Sequence, residues 1–250
     1  MTKINQLILD WPKGTVKTTR ELNKLGYSSQ ILKVYANSGW ITLLSRGAYK
    51  LSGDTTEWQG GLYCLQQQSG NHIHVGAKAA LELKGLAHFI PQQQNKIELF
   101  GNSMDKLPQW FTKQTWMQYL KLFGTDVFPY ENPIVFSTVT DNNIPLKISS
   151  PELAIMEMLY LVPQTHSFDS ANLIMESLST LRDDLLQYLL ENCNSIKTKR
   201  LFLYFAEKHE HNWFNELNHT KINIGNGKRE IAKNGKLNKR YNITVPKEYE

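Results

Sequence analysis

The sequence predicts an α+β protein: an N-terminal winged helix-turn-helix, then a mixed α/β segment, then a helical C-terminal domain with a terminal β-meander. Three observations predict it. Residues 15–51 read as two short helices joined at a glycine and followed by a tight hairpin. Residues 54–148 mix short helical patterns with β-branched runs. Beyond residue 149, apolar residues recur every three to four positions until two Asn-Gly pairs cut the chain into short strands.

Each boundary of the first unit has a local cause. A helix is expected over 18–25, because the hydroxyl of Thr18 or Thr19 can satisfy an orphan N–H of the first turn. Gly26 closes it, since a left-handed residue without Cβ ends a helix without a clash. Ser28 or Ser29 caps a second helix that runs to about Ser38 and stops at Gly39. Leu32, Tyr35 and Ala36 fall on its core side, while Ser29, Gln30, Lys33 and Asn37 fall outside that stripe. Such side chains bond phosphates or base edges when a helix enters a major groove. Strands over 40–44 and 48–51 flank an Arg46-Gly47 turn, with Arg46 and Lys50 beside the tip.

A helix-Gly-helix also suits a small unit that packs on a neighbour and never meets nucleic acid. Charge separates the two readings. Residues 1–50 carry eight Lys/Arg against Asp10 and Glu21, a net of +6. That excess is what phosphate binding requires. The predicted DNA contacts are Lys17, Ser28, Ser29, Gln30, Lys33, Asn37, Arg46 and Lys50. Gln30 and Asn37 read base edges in this scheme, and the cations bind mainly phosphate.

The chain has 250 residues and a hydrophobic fraction of 41%, enough for a sizeable core. No apolar run approaches the roughly 20 residues that span a bilayer. No signal-peptide pattern opens the chain, so a cytoplasmic protein is expected. Cys64 and Cys193 sit in apolar patterns and are expected as reduced core residues. The formal net charge of +5 hides an uneven distribution. Residues 51–196 hold eight basic and fifteen acidic residues; residues 197–250 hold twelve basic and six acidic. Basic ends around an acidic middle suit acidic partners.

Ser52-Gly53-Asp54 marks a turn and the expected boundary between domains 1–53 and 54–250. Within the second, 54–148 is the mixed part. It holds a helix over 56–68, a strand over 72–75, a helix over 77–83 and a strand over 96–100. An ambiguous aromatic stretch follows over 110–122. Runs at 134–139 and 144–148 surround Asp141-Asn142-Asn143, a hairpin signature. The part 149–250 begins with Ser149 or Ser150 capping a helix that carries Pro151 and Glu152 in its first turn. One long helix is expected from Asp169 or Ser170 to Asn192, and another over 197–208. Asn226-Gly227 and Asn234-Gly235 predict the terminal β-meander. Its basic residues Lys228, Arg229, Lys236, Lys239 and Arg240 are candidates for contact with nucleic acid or a partner.

Several constellations resemble chemistry without completing it. His72-x-His74 would share one strand face, but no nearby Cys or carboxylate completes a four-ligand set. His209-Glu210-His211 lacks the i, i+4 spacing of a helical metal pair. Gly225-Asn226-Gly227-Lys228-Arg229 lacks the spacing and the Ser/Thr of a phosphate loop. The tracts at 66–68 and 92–94 are short glutamine patches. A nuclease would cluster its carboxylates near a lysine, and the acidic residues here are scattered. No catalytic site, metal or cofactor is expected.

Gly39-Trp40-Ile41 through Ser45-Arg46-Gly47-Ala48-Tyr49, after a capped helix, resembles the winged N-terminal domain of AbiEi antitoxins. Ser149-Ser150-Pro151-Glu152-Leu153-Ala154 and Phe168-Asp169-Ser170-Ala171 resemble their C-terminal domain. So does the tail, Gly225 to Arg229 with Tyr241-Asn242-Ile243-Thr244-Val245-Pro246. The resemblance is weakest over 55–145. It implies a transcriptional regulator of an abortive-infection, type IV toxin–antitoxin operon. It further implies repression through inverted repeats of double-stranded DNA in the operon's own promoter, and an antidote to a nucleotidyltransferase-like toxin, with or without a stable complex. The alternative is a winged-helix regulator whose C-terminal part binds a ligand or dimerises and has no toxin partner.

Overall fold

The computed structural model describes residues 2–68, 70–87 and 96–249; the glutamine patch at 92–94 lies outside them. The first unit, the head, contains α1 (Lys3–Leu9), β1 (Lys17–Thr18), α2 (Thr19–Lys24), α3 (Ser29–Asn37), β2 (Ile41–Ser45) and β3 (Ala48–Leu51). Thr18 caps α2 by accepting from Glu21 N, and Ser28 caps α3 by accepting from Ile31 N. Gly26 joins the two helices with φ +86°, a conformation costly for any residue with a Cβ. The sequence patterns predict neither α1 nor β1. β1 is two residues long and exists by pairing with β3, Lys17 opposite Tyr49 and Thr18 opposite Ala48.

The head buries a core of its own: Leu7, Trp11, Leu22, Tyr27, Leu32, Ile41 and Leu51. Leu32 is fully buried, and Tyr35 and Ala36 pack half-buried against this cluster. The head is seated on the body through Val16 and Ala48, which belong to the larger core. Gly60 permits the contact. A Cβ there would lie 1.9 Å from the Gly14 carbonyl oxygen, and Val16 N donates to Gly60 O at 3.4 Å.

The body begins with α4 (Trp58–Gln66), β4 (His74–Val75), α5 (Ala77–Leu83), β5 (Ile97–Gly101), α6 (Gln109–Thr112), β6 (Leu120–Gly124), β7 (Phe136–Asp141) and β8 (Ile144–Ser149). The strands form one mixed sheet in the order β6-β5-β4-β8-β7. The aromatic stretch over 110–122 divides into α6, a short helical turn at Thr115–Tyr119, and β6. Asn142 and Asn143 turn the β7–β8 hairpin with φ +48° and +62°.

α7 (Pro151–Tyr160) is the central helix, with Leu153, Ala154, Ile155, Met156, Met158 and Leu159 fully buried. Glu157 is buried with them, and its carboxylate is saturated. It accepts from Tyr130 OH at 3.0 Å, Ser149 OH at 2.7 Å and Ala77 N at 2.9 Å, and pairs with His74 Nε2 at 3.0 Å. A buried carboxylate without such partners would be costly.

Two expectations need correction. The helix expected from 169 or 170 to 192 is two helices, α8 (Phe168–Ser177) and α9 (Asp183–Asn192). Apolar spacing continues across the break, and Leu178 and Leu181 are buried, but the backbone there bonds elsewhere. Leu178 O accepts from Trp213 Nε1 at 2.9 Å, and Arg182 N donates to Glu152 at 3.0 Å. The tail is not a meander. After α10 (Ile196–Lys208) and α11 (Asn212–Asn215) come β9 (Arg229–Glu230), β10 (Lys236–Asn238) and β11 (Ile243–Val245), ordered β10-β11-β9, with β9 parallel to β11. Arg200 on α10, almost wholly buried, sets this arrangement by donating to four carbonyls: Ile224, Gly225, Gly227 and Asn242, at 2.5–3.1 Å.

Candidate nucleic-acid interface

The residues of α3 divide cleanly by environment. Leu32 anchors the helix, while Ser29, Gln30, Lys33, Val34 and Asn37 are exposed. Positions 30, 33, 34 and 37 follow the i, i+3, i+4, i+7 rule and form one stripe. Among the described residues, no hydrogen bond or ion pair occupies the side chains of Gln30, Lys33 or Asn37. Val34, 59% exposed, adds an apolar surface to the stripe. Such a stripe has donors, an acceptor-donor amide pair, a cation and a methyl surface. These are the groups that distinguish base-pair edges in a major groove.

The other head candidates fare differently. Ser28 is exposed, but its hydroxyl is spent on the α3 cap. Arg46 is exposed at the β2–β3 turn, where Gly47 O accepts from Thr19 N at 2.9 Å and ties the turn to the start of α2. Lys17 is half-buried; its ammonium pairs with Glu21 at 2.9 Å and lies over the Trp11 ring. Lys50, also half-buried, donates to Asp54 O at 2.7 Å. These two cations hold the head together and contribute to its field at longer range. Arg20 and Lys24, exposed on α2, count in the sequence only toward the net charge of the head. Their i, i+4 spacing was the signal that could have singled them out.

The basic tail is a second cationic surface. Lys228, Arg229, Lys236, Lys239 and Arg240 are all exposed. Arg240 is engaged by Glu207. Lys228 and Arg229 follow the loop that Arg200 fixes, far in sequence from the head.

The histidines of the two candidate pairs, His72 with His74 and His209 with His211, lie in protein-bonded settings. His74 Nδ1 is 2.6 Å from His72 O and its Nε2 faces Glu157, whereas His72 meets Asn102 at 3.0 Å, so the two rings have separate partners. His211 bonds Met175 O at 2.7 Å, and His209 bonds Asn172 at 3.1 Å. Burial pushes the Cys64 thiol up to about 12 and the Cys193 thiol up to about 11, so neither is a nucleophile near neutral pH. Among the described residues no helix is long and apolar enough to cross a membrane.

Comparison with known proteins supplies the wider context. Residues 1–92 match the family model described as the N-terminal domain of the AbiEi antitoxin transcriptional regulator. Residues 94–246 match the model described as the AbiEi antitoxin, transcriptional regulator of type IV toxin–antitoxin systems. No curated protein matches the sequence. Among solved structures, the Rv2827c protein of Mycobacterium tuberculosis is similar in fold, with a TM-score of 0.63 at 11% identity over 96% of this chain and 88% of that one. With both family models together spanning nearly its whole length, the chain belongs to the AbiEi antitoxin family of transcriptional regulators from type IV toxin–antitoxin systems.

Proposed function

We propose that this chain is a DNA-binding antitoxin that represses its own operon and counters a nucleotidyltransferase-like toxin, acting in the cytoplasm without an enzymatic activity of its own. Residues 1–53 act as a winged helix-turn-helix, with α3 as the reading helix and the β2–β3 turn as a short wing. The observation that carries this reading is the exposed Gln30–Lys33–Val34–Asn37 stripe on a helix whose other side is locked into the head core. Gln30 and Asn37 contact base edges; Ser29, Lys33 and Arg46 contact phosphate, with Ser28 setting the helix start and Lys17 and Lys50 adding field. Operator half-sites arranged as inverted repeats would receive one head each.

The test is a titration of the promoter fragment over a range of salt. Lys33→Ala with Arg46→Ala removes two phosphate contacts per head and should reduce the slope of log affinity against log salt by about 2 for each head bound. An unchanged slope refutes the assignment. For the antitoxin activity, removing residues 197–250 would also remove α10, whose Leu201, Phe202 and Phe205 are fully buried. Substituting Lys228, Arg229 and Lys239 by alanine tests the exposed tail cations without touching that core. Loss of growth protection against the co-expressed toxin is expected; full protection would exclude the tail cations from the antidote role.

A further inference from the structure

A cleft of about 500 Å³ opens where the head meets the body. Its head wall carries Arg20 and Lys24 of α2 and Arg46 of the β2–β3 turn. The body contributes Gln67, Gln68 and Trp110. Arg20 and Lys24 stand at i, i+4, so two like charges share one helix face, an unfavourable arrangement unless an anion relieves it. Arg46 adds a third positive charge from the turn. Among the described residues, no carboxylate pairs with any of the three. Glu21 is the single acid on the lining, and one of its oxygens is already held by Lys17 at 2.9 Å. The volume falls within the range of small-molecule sites. A duplex contacts convex elements such as the exposed face of α3, whereas a half-open cleft of this volume with residues from two units admits a group of nucleotide size.

We infer that this cleft binds a nucleoside di- or triphosphate, with the phosphates among Arg20, Lys24 and Arg46 and the base edge toward Gln67 and Gln68. Guanidinium groups suit bidentate phosphate binding, and the exposed carboxamides of Gln67 and Gln68 offer both a donor and an acceptor to a base edge; Trp110, 7% exposed, lines the cleft without a free stacking face. Because Arg46 belongs to both this cleft and the proposed DNA contact, a bound nucleotide draws it away from the duplex and weakens operator binding. That regulatory half rests on the DNA-binding reading above; the nucleotide site itself does not.

Calorimetric titration of the full chain with ATP, GTP and inorganic triphosphate tests the site. At least one nucleotide should bind saturably with one site per chain, at a dissociation constant below about 1 mM. It should bind at least about tenfold more tightly than inorganic triphosphate. Arg20→Ala with Lys24→Ala should weaken it by about tenfold or more, while Lys84→Ala, an exposed charge outside the cleft, should leave it unchanged. Both altered α2 positions are exposed, so an unchanged thermal melt will show that the double variant folds. No saturable binding, equal affinity for inorganic triphosphate, or indifference to the double substitution overturns the site.

The same nucleotide, added at saturation, should reduce promoter affinity of the unaltered chain several-fold and leave that of the double variant unmoved. Nucleotide binding with unchanged promoter affinity overturns the regulatory half. If the chain fails to bind its promoter even without nucleotide, the DNA reading fails, while the calorimetry still decides the cleft.

Discussion

Gly60→Ala isolates the junction between head and body. On helix propensity alone the change should stabilise α4 by about 1 kcal/mol, because alanine loses less backbone entropy than glycine. The surroundings oppose it. The new Cβ would lie 1.9 Å from Gly14 O, 2.9 Å from Gly14 C and 3.1 Å from Thr15 Cα, all backbone atoms that no rotamer change can clear. α4 or the 14–16 segment must then retreat by about 1 Å, loosening the Val16–Gly60 hydrogen bond and the seat of Val16 in the body core. Overpacking of this kind costs about 1–3 kcal/mol, and the lost contacts add to it, so a net loss of about 2–3 kcal/mol is expected. For a chain of this size that lowers the melting temperature by about 5–10 °C in circular dichroism. Gly61→Ala is the comparison: its Cβ meets ring atoms of Phe111 at 2.9 Å and Trp116 at 3.0 Å, side chains that can move, and should cost less. A Gly60→Ala protein that melts at or above the parent temperature would refute the close seating of the head.

Two further predictions concern the helical half. Arg200→Met keeps an unbranched apolar stem but strips donors from the carbonyls of Ile224, Gly225, Gly227 and Asn242. Limited proteolysis should then cut within 223–245 while promoter binding by the head survives; an intact tail would show that Arg200 is not what holds it. His209 is held below the usual imidazole range, by burial first and then by the neighbouring Lys208 charge. The folded chain therefore favours the neutral ring. This contribution is fully present above an unfolded pKa of about 6.5 and is lost as pH falls below it toward the lower folded value. Urea midpoints should accordingly decline from pH 7.5 to pH 5.5, with a smaller decline in His209→Gln.

Much of the head was legible because its determinants are local. Thr18, Gly26, Ser28 and Gly39 cap and end two helices through bonds within a few residues. α1 escaped notice because it is short and its single buried residue, Leu7, gives no periodic stripe. β1 depends on a partner thirty residues away. The long helix beyond 168 was misread for the opposite reason: the leucine spacing was real, but Glu152 and Trp213 claim backbone groups that would have continued it. In the tail, Asn-Gly pairs marked turns correctly, yet β9 pairs parallel to β11 beside segments that Arg200 binds through their carbonyls, an arrangement no turn signal encodes. The candidate site shows the same division. The exposure of Ser29, Gln30, Lys33 and Asn37 on α3 followed from spacing alone, while the exposed Val34, the engagement of Lys50 by Asp54 and the gathering of Arg20, Lys24 and Arg46 around one cleft required the fold.

In the proposed function α3 reads DNA sequence through Gln30 and Asn37. The most direct measurement compares affinity for the promoter with affinity for a scrambled duplex at several salt concentrations, in the parent and in Gln30→Ala with Asn37→Ala. Each lost base-edge contact is worth about 1–3 kcal/mol of discrimination, so the promoter preference should fall by about tenfold or more while the salt slope stays constant. A preference that survives the double substitution would contradict the account.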